Sequence, residues 1–181
     1  MASIFSHGIA AFAIGKITIL SKQPWKLWIL GIVCSMIPDA DTLAFRFGIP
    51  YESMWGHRGI THSIFFAVLL ALLVMLIFYK NAWKSVKEGI MLFLYFFLAT
   101  VSHPVLDAMT NGGLGVAFFA PFNNHRYFFP WRPIQVSPIG AKAFFSAAGW
   151  RVIKSELIWV WMPSLTLIAT GYLIRKRRTK N

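Results

Sequence analysis

The chain has 181 residues, of which 57% are hydrophobic and only 13% charged, with a formal net charge of +12. A soluble domain carries about 25% charged residues, and one core of this size could not hide so much apolar surface from water. A single domain over 1–181, solvated by lipid, is the expectation. The basic residues fall in short loops between apolar runs and in a tail at 175–180, not along one polar helix or groove. That placement excludes nucleic acid as a partner and suits anionic lipid headgroups.

The N-terminus lacks the basic start and cleavage pattern of a signal peptide, so the first apolar run is expected to persist. That run, Ile4 to Leu20, is broken only by Ser6, His7, Lys16 and Thr18. The second, Trp25 to Ile37, is short for a span, and together they predict a helical hairpin. Cys34 is the single cysteine and reads as a small buried residue, with no disulfide possible within the chain. Ile60 to Tyr79 is 20 residues long, which as a helix is about 30 Å, the thickness of a bilayer core. Gly89 to Leu106 and Leu157 to Ile174 are two further spans, the last containing Pro163 and Gly171, which membrane helices tolerate. The expected fold is an all-α integral membrane bundle of about four to five transmembrane or membrane-embedded helices. The region 107–156 is long, aromatic and rich in Gly and Pro, and predicts a loop or lid on the membrane surface, with Trp and Phe at the headgroup boundary.

Alternating five helices puts 11 basic residues on one side (Lys16, Lys22, Lys26; Lys80, Lys84, Lys87; Arg175, Lys176, Arg177, Arg178, Lys180). The other side holds 7: Arg46, Arg58, Arg126, Arg132, Lys142, Arg151 and Lys154. The excess of basic residues marks the cytoplasmic side, which places the C-terminus in the cytoplasm.

The chain has six carboxylates, and three of them lie in clusters with histidine or at helix ends: Asp39 and Asp41, then His57 and His62, then His103 and Asp107, with His7 near the start of the first helix. Under the alternating topology all of these emerge on one face. His103 and Asp107, four apart, stack on one helix face and can grip one ion. Asp39 and Asp41, two apart, suit an extended turn, and Thr61 suits a helix N-cap. Imidazole with carboxylate fits a divalent transition metal, zinc first, manganese or iron as alternatives, as one or two ions. Seven donors exceed one closed zinc shell, so there are two ions or some of the seven orient ligands from behind. A lone histidine at an interface usually anchors a helix, and His125 reads that way. Seven ionisable groups converging in a membrane need a shared cause, and a bound cation supplies it.

The order PDAD, HRGITHS, SHPVLDAMT, Asn111-Gly112-Gly113 and a following Pro-aromatic-Arg stretch resembles the YdjM/YbcI family of bacterial inner-membrane proteins, described as metal-dependent hydrolases, one branch being labelled LexA-binding. The resemblance runs from His7 to about Arg132. It marks His7, Asp39, Asp41, His57, Arg58, His62, His103, Asp107 and Thr110, with Thr42 where some relatives place His-Pro. It implies a membrane hydrolase in the inner membrane, and a repressor partner on the strength of that label alone.

The chemistry expected is hydrolysis of a phosphoester in a lipid or lipid-linked substrate. Asp39 or Asp41 would be ligand or general base, and Arg58 would hold phosphate through paired N–H donors. Thr110, Arg126 and Arg132 are further substrate-binding candidates, headgroup anchoring being the equal alternative for the two arginines. The competing expectation is a non-catalytic membrane protein whose metal site is structural or handles ions; a structural site closes its shell, whereas a catalytic one keeps a position open.

Overall fold

The computed structural model describes residues 1–19 and 23–178. Lys22 and Lys180 of the basic tally, and Leu20 at the end of the first predicted run, lie outside them. The described residues are mainly helical, with no strand, and form an integral membrane bundle. The apolar runs become α1 (Ile4–Thr18), α2 (Trp25–Met36) continued by a 3-10 helix (Ile37–Phe47), α3 (Ile64–Phe78) and α4 (Val86–Ala108). After a long non-helical segment come α5 (Ala141–Phe144), α6 (Ala147–Glu156), one π turn (Leu157–Trp161) and α7 (Met162–Arg178).

Among the described residues, three stretches are long and apolar enough to cross a membrane: Trp25–Phe47, Val86–Ala108 and Ala147–Arg177. α1 and α3 have 15 residues each, about 22 Å of helix, short of a bilayer core of about 30 Å. They are held by packing against the longer helices: α1 lies against α2, α4 and α7, and α4 against α1, α2 and α3.

The 20-residue span expected from Ile60 is therefore shortened. Ile60–His62 forms a 3-10 turn, and α3 starts only where the Ser63 hydroxyl accepts the Phe66 N–H at 3.0 Å. Ser63, not Thr61, is the cap, because the Thr61 hydroxyl is taken by Asp41 at 2.6 Å. At the other end of the chain the helix begins earlier than Leu157. Ser146 caps α6, whose buried Val152 and Glu156 face the bundle. The helix then runs on through the π turn into α7, where Pro163 has no N–H to give. The expected loop over 107–156 thus shrinks to the stretch between α4 and α5.

α4 is the organising helix. Its buried stripe reads Gly89, Leu92, Phe96, Ala99, His103, Asp107, each three or four residues from the last. The upper part packs into the apolar core with Leu27, Trp28 and Met75, and the last turn carries the two polar members inward. Close approach depends on glycine. The Tyr95 ring occupies the space a Cβ at Gly31 would need, and at Gly171 a Cβ would collide with the Lys16 carbonyl oxygen of α1. Gly171→Leu is expected to push α7 off α1 and lower stability by about 1–3 kcal/mol. A thermal midpoint in detergent equal to the wild type would contradict this packing.

Candidate metal centre

Four segments meet at one end of the bundle. α1 brings His7, the 3-10 helix brings Asp39 and Asp41, the loop before α3 brings His57, Arg58 and His62, and the last turn of α4 brings His103 and Asp107. His7, Arg58, His62, His103 and Asp107 are completely buried, His57 and Asp41 nearly so, and Asp39 keeps 12% of its side chain exposed.

The tautomers of two imidazoles follow from what their Nδ1 atoms face. His103 Nδ1 lies 2.6 Å from the Ser35 carbonyl oxygen, which can only accept, so Nδ1 carries the hydrogen and Nε2 is bare in the neutral ring. His62 Nδ1 lies 3.1 Å from Asp41 Oδ2, which fixes the same tautomer. The two Nε2 atoms then stand 3.0 Å apart. Asp39 Oδ1 is 3.3 Å from His103 Nε2 and 3.7 Å from His62 Nε2, while Asp107 Oδ2 is 4.0 Å and 3.7 Å from the same atoms. Both carboxylate oxygens are buried and without a hydrogen bond.

A tetrahedral ion bound at 2.0–2.1 Å spaces its ligands about 3.3–3.4 Å apart. The edges seen here, 3.0–4.0 Å, bracket that value. Asp39, His62, His103 and Asp107 therefore form a group that could hold one metal ion. The charges agree. Asp39, Asp41 and Asp107 are faced by one guanidinium, that of Arg58, and by the N-terminal amine, which leaves net negative charge for a cation to answer. His62, on the turn ahead of α3, registers the same demand. Burial opposes its protonated form, but Asp107, Asp39 and Asp41 outweigh burial and raise its pKa to about 10.

The other predicted donors surround this group. Asp41 and Asp39 sit on a 3-10 helix, not the extended turn expected, and at three residues per turn they point roughly 120° apart. Asp39 faces the Nε2 edge of His62 and Asp41 the Nδ1 edge. Asp41 also accepts from His57 Nδ1 at 2.7 Å, from the Arg58 N–H at 3.1 Å and from Thr61 at 2.6 Å. With those lone pairs used, Asp41 orients His62 as a carboxylate behind a ligand does. A second group, Asp41, His57 and His62, also has ligand spacing, but its atoms are already drawn into hydrogen bonds. His7 stacks flat on His103, ring centroids 3.7 Å apart, with Nε2 3.6 Å from Asp107 Oδ1; neither of its nitrogens has a hydrogen bond.

The loop sequence HRGITHS fits these tasks residue by residue. Arg58 adopts φ 62°, a left-handed conformation that costs a non-glycine residue about 1–3 kcal/mol. In return its N–H reaches Asp41 and its carbonyl accepts from Ala117 at 3.0 Å. Gly59 is required because a Cβ there would collide with the Met54 carbonyl oxygen. The Arg58 guanidinium turns inward: Nη1 donates to Gly112 O and Nη2 to Thr110 Oγ1, both at 3.0 Å, and Nε pairs with Asp107 Oδ2 at 3.0 Å without hydrogen-bond alignment. Thr110 is buried beneath it and donates to Asp107 O at 2.7 Å.

Arg126 is also spent within the protein, donating to the carbonyls of His57, Tyr51 and Ser53 and so bracing the loop. Arg132 is exposed, its guanidinium over the Phe128 ring, and His125 is exposed beside Tyr127. Sequence reasoning missed Glu156, which is buried and accepts from both the N–H and the hydroxyl of Ser3, pinning the start of α1. Its one signal was position, a lone carboxylate entering an apolar run.

His103→Ala or Asp107→Ala is expected to remove the metal from purified protein, Glu88→Ala to leave it, and Asp41→Ala to weaken binding about 10–100-fold. Elemental analysis and chelator competition check this order. Because uptake of an ion displaces the His62 proton, affinity falls as pH is lowered; calorimetry in buffers of differing ionisation heat reads the proton directly.

A family model described as YdjM inner membrane protein matches residues 1–178. The inner membrane protein YbcI of Escherichia coli (strain K12) is 36% identical over 179 residues, covering 98% of this chain and 100% of that protein. No solved structure matches the chain. The chain belongs to the YdjM family of inner membrane proteins.

Proposed function

We propose that this protein is a membrane-embedded, metal-dependent hydrolase of a phosphoester in a lipid or lipid-linked substrate, with zinc as the ion. The observation that carries the reading is the convergence of the His62 and His103 Nε2 atoms with two buried carboxylate oxygens that have no hydrogen bond. A divalent ion held by Asp39, His62, His103 and Asp107 would polarise a substrate oxygen and acidify water.

The remaining work falls to the chain's own groups. A general base must have a free lone pair within reach of the reacting proton. Asp41 has none to spare, and Asp39 faces the imidazoles. His7 is buried against His103 with both nitrogens unengaged, so it is the proton acceptor in this reading, in place of the aspartates the sequence favoured. Arg58 is a positioning residue that holds Asp107, because gripping a phosphate would take its N–H groups from Gly112 and Thr110. Arg132, exposed among aromatic side chains, is the cation left to meet a headgroup.

A second reading has its own support: four protein donors can close a tetrahedral shell, as structural zinc sites do. Two experiments separate the readings. In phospholipid and lipid-phosphate panels, His7→Gln is expected to lose about 100-fold or more of turnover while its metal content stays at the wild-type level. Turnover by no wild-type preparation above its chelated control, with collapse of the fold on chelation, would favour the structural site. The basic excess also supports a cytoplasmic C-terminus, with the centre at the opposite face. A reporter fused after Asn181 that is active only outside the cytoplasm would reverse that orientation.

A further inference from the structure

Beside the metal centre, on its outer side, lies a cavity of about 440 Å³ between the 3-10 helix and the first turns of α3. Its walls are apolar: Ile37 and Ala40 on one side, Phe65 and Leu69 on the other, with Trp55 at the rim. Ala40, Trp55, Phe65 and Leu69 are all exposed, Trp55 to 61%. Its only polar lining comes from Asp41 and Thr61, the two residues that hold the Nδ1 edge of His62. A second apolar cavity of about 410 Å³ shares the Phe65 wall, on the side of Phe118 and Phe122.

We infer that this cavity is a lipid-binding groove that takes an acyl chain of a membrane lipid, with the headgroup of that lipid at the Trp55 mouth. Three observations commit the groove to that occupant. The walls belong to a membrane-embedded helix and to a stretch long and apolar enough to span, so the open side faces acyl chains. The volume falls within the roughly 300–1,000 Å³ of small-molecule sites. The lining is apolar along its length, with the Trp55 indole at the mouth, where headgroup depth favours tryptophan. A protein partner would meet no charged rim here, since Asp41 is occupied by His57, Arg58 and Thr61.

The groove ends at the Nδ1 edge of His62, whereas the metal ligands converge on Nε2. The lipid seated here therefore touches the residues that orient a ligand and does not itself reach the ion. The site is thus independent of whether the centre is catalytic.

The test is lipid retention, measured by native mass spectrometry of protein released from nanodiscs of a dioleoyl phospholipid. Wild type is expected to keep one phospholipid per chain. Ala40→Trp and Leu69→Trp fill the groove from two different helices at exposed positions, and each should cut retention at least tenfold with metal content unchanged. Leu165→Trp, which fills the separate groove between α1, α2 and α7, should retain the lipid. His103→Ala should lose metal and keep the lipid, so failure of the metal reading leaves this result standing. Retention by both groove-filling variants at the wild-type level, or equal loss in Leu165→Trp, would overturn the proposal.

Discussion

Three carboxylates and one guanidinium buried together at the end of a membrane bundle set the terms for everything around them. Removing each ion from water carries a penalty of several kcal/mol unless a partner answers it. Asp41 is answered by hydrogen bonds from His57, Arg58 and Thr61, and Arg58 is answered by Asp107, Thr110 and Gly112. Asp39 Oδ1 and Asp107 Oδ2 have no hydrogen bond and lie 3.3–4.0 Å from the Nε2 atoms of His62 and His103. A divalent cation resolves the charge and the orphaned lone pairs at once.

The rest of the bundle holds that cluster in register. α4 uses one buried stripe for both tasks, apolar through Phe96 and Ala99, then polar at His103 and Asp107, so core packing and ligand placement cannot be separated. α1 is fixed at its start by Glu156 through Ser3 and by Asp107 through the Ala2 N–H, which presses His7 onto His103. The segment between α4 and α5 lies over the loop that carries Arg58, with Ala117 and Phe118 donating to or accepting from Arg58 and Ile64. The left-handed backbone at Arg58 is sustained by these contacts from every side.

Much of this was legible in the sequence because spacing along a helix is a geometric statement. His103 and Asp107 at i and i+4 had to share a face, and five alternating helices had to bring four clusters to one end. What sequence could not give was direction. Asp39 and Asp41 looked like a matched pair in an extended turn, yet a 3-10 helix turns them to opposite edges of His62, Asp39 toward Nε2 and Asp41 toward Nδ1. Arg58 read as a phosphate grip, and nothing in a linear chain shows that its guanidinium bonds Thr110 and the Gly112 carbonyl. The start of α3 was misjudged for a similar reason: Thr61 and Ser63 are both competent caps, and only the tertiary demand of Asp41 decides between them.

The central claim is that two histidines and two aspartates from three segments bind one ion. X-ray absorption on the purified, zinc-loaded protein tests it most directly. The account predicts stoichiometric zinc with four nitrogen or oxygen neighbours at about 2.0–2.1 Å, an imidazole scattering signature equivalent to two histidines, and no zinc retained by His103→Ala. Zinc bound substoichiometrically, or held in a shell without histidine, would contradict it.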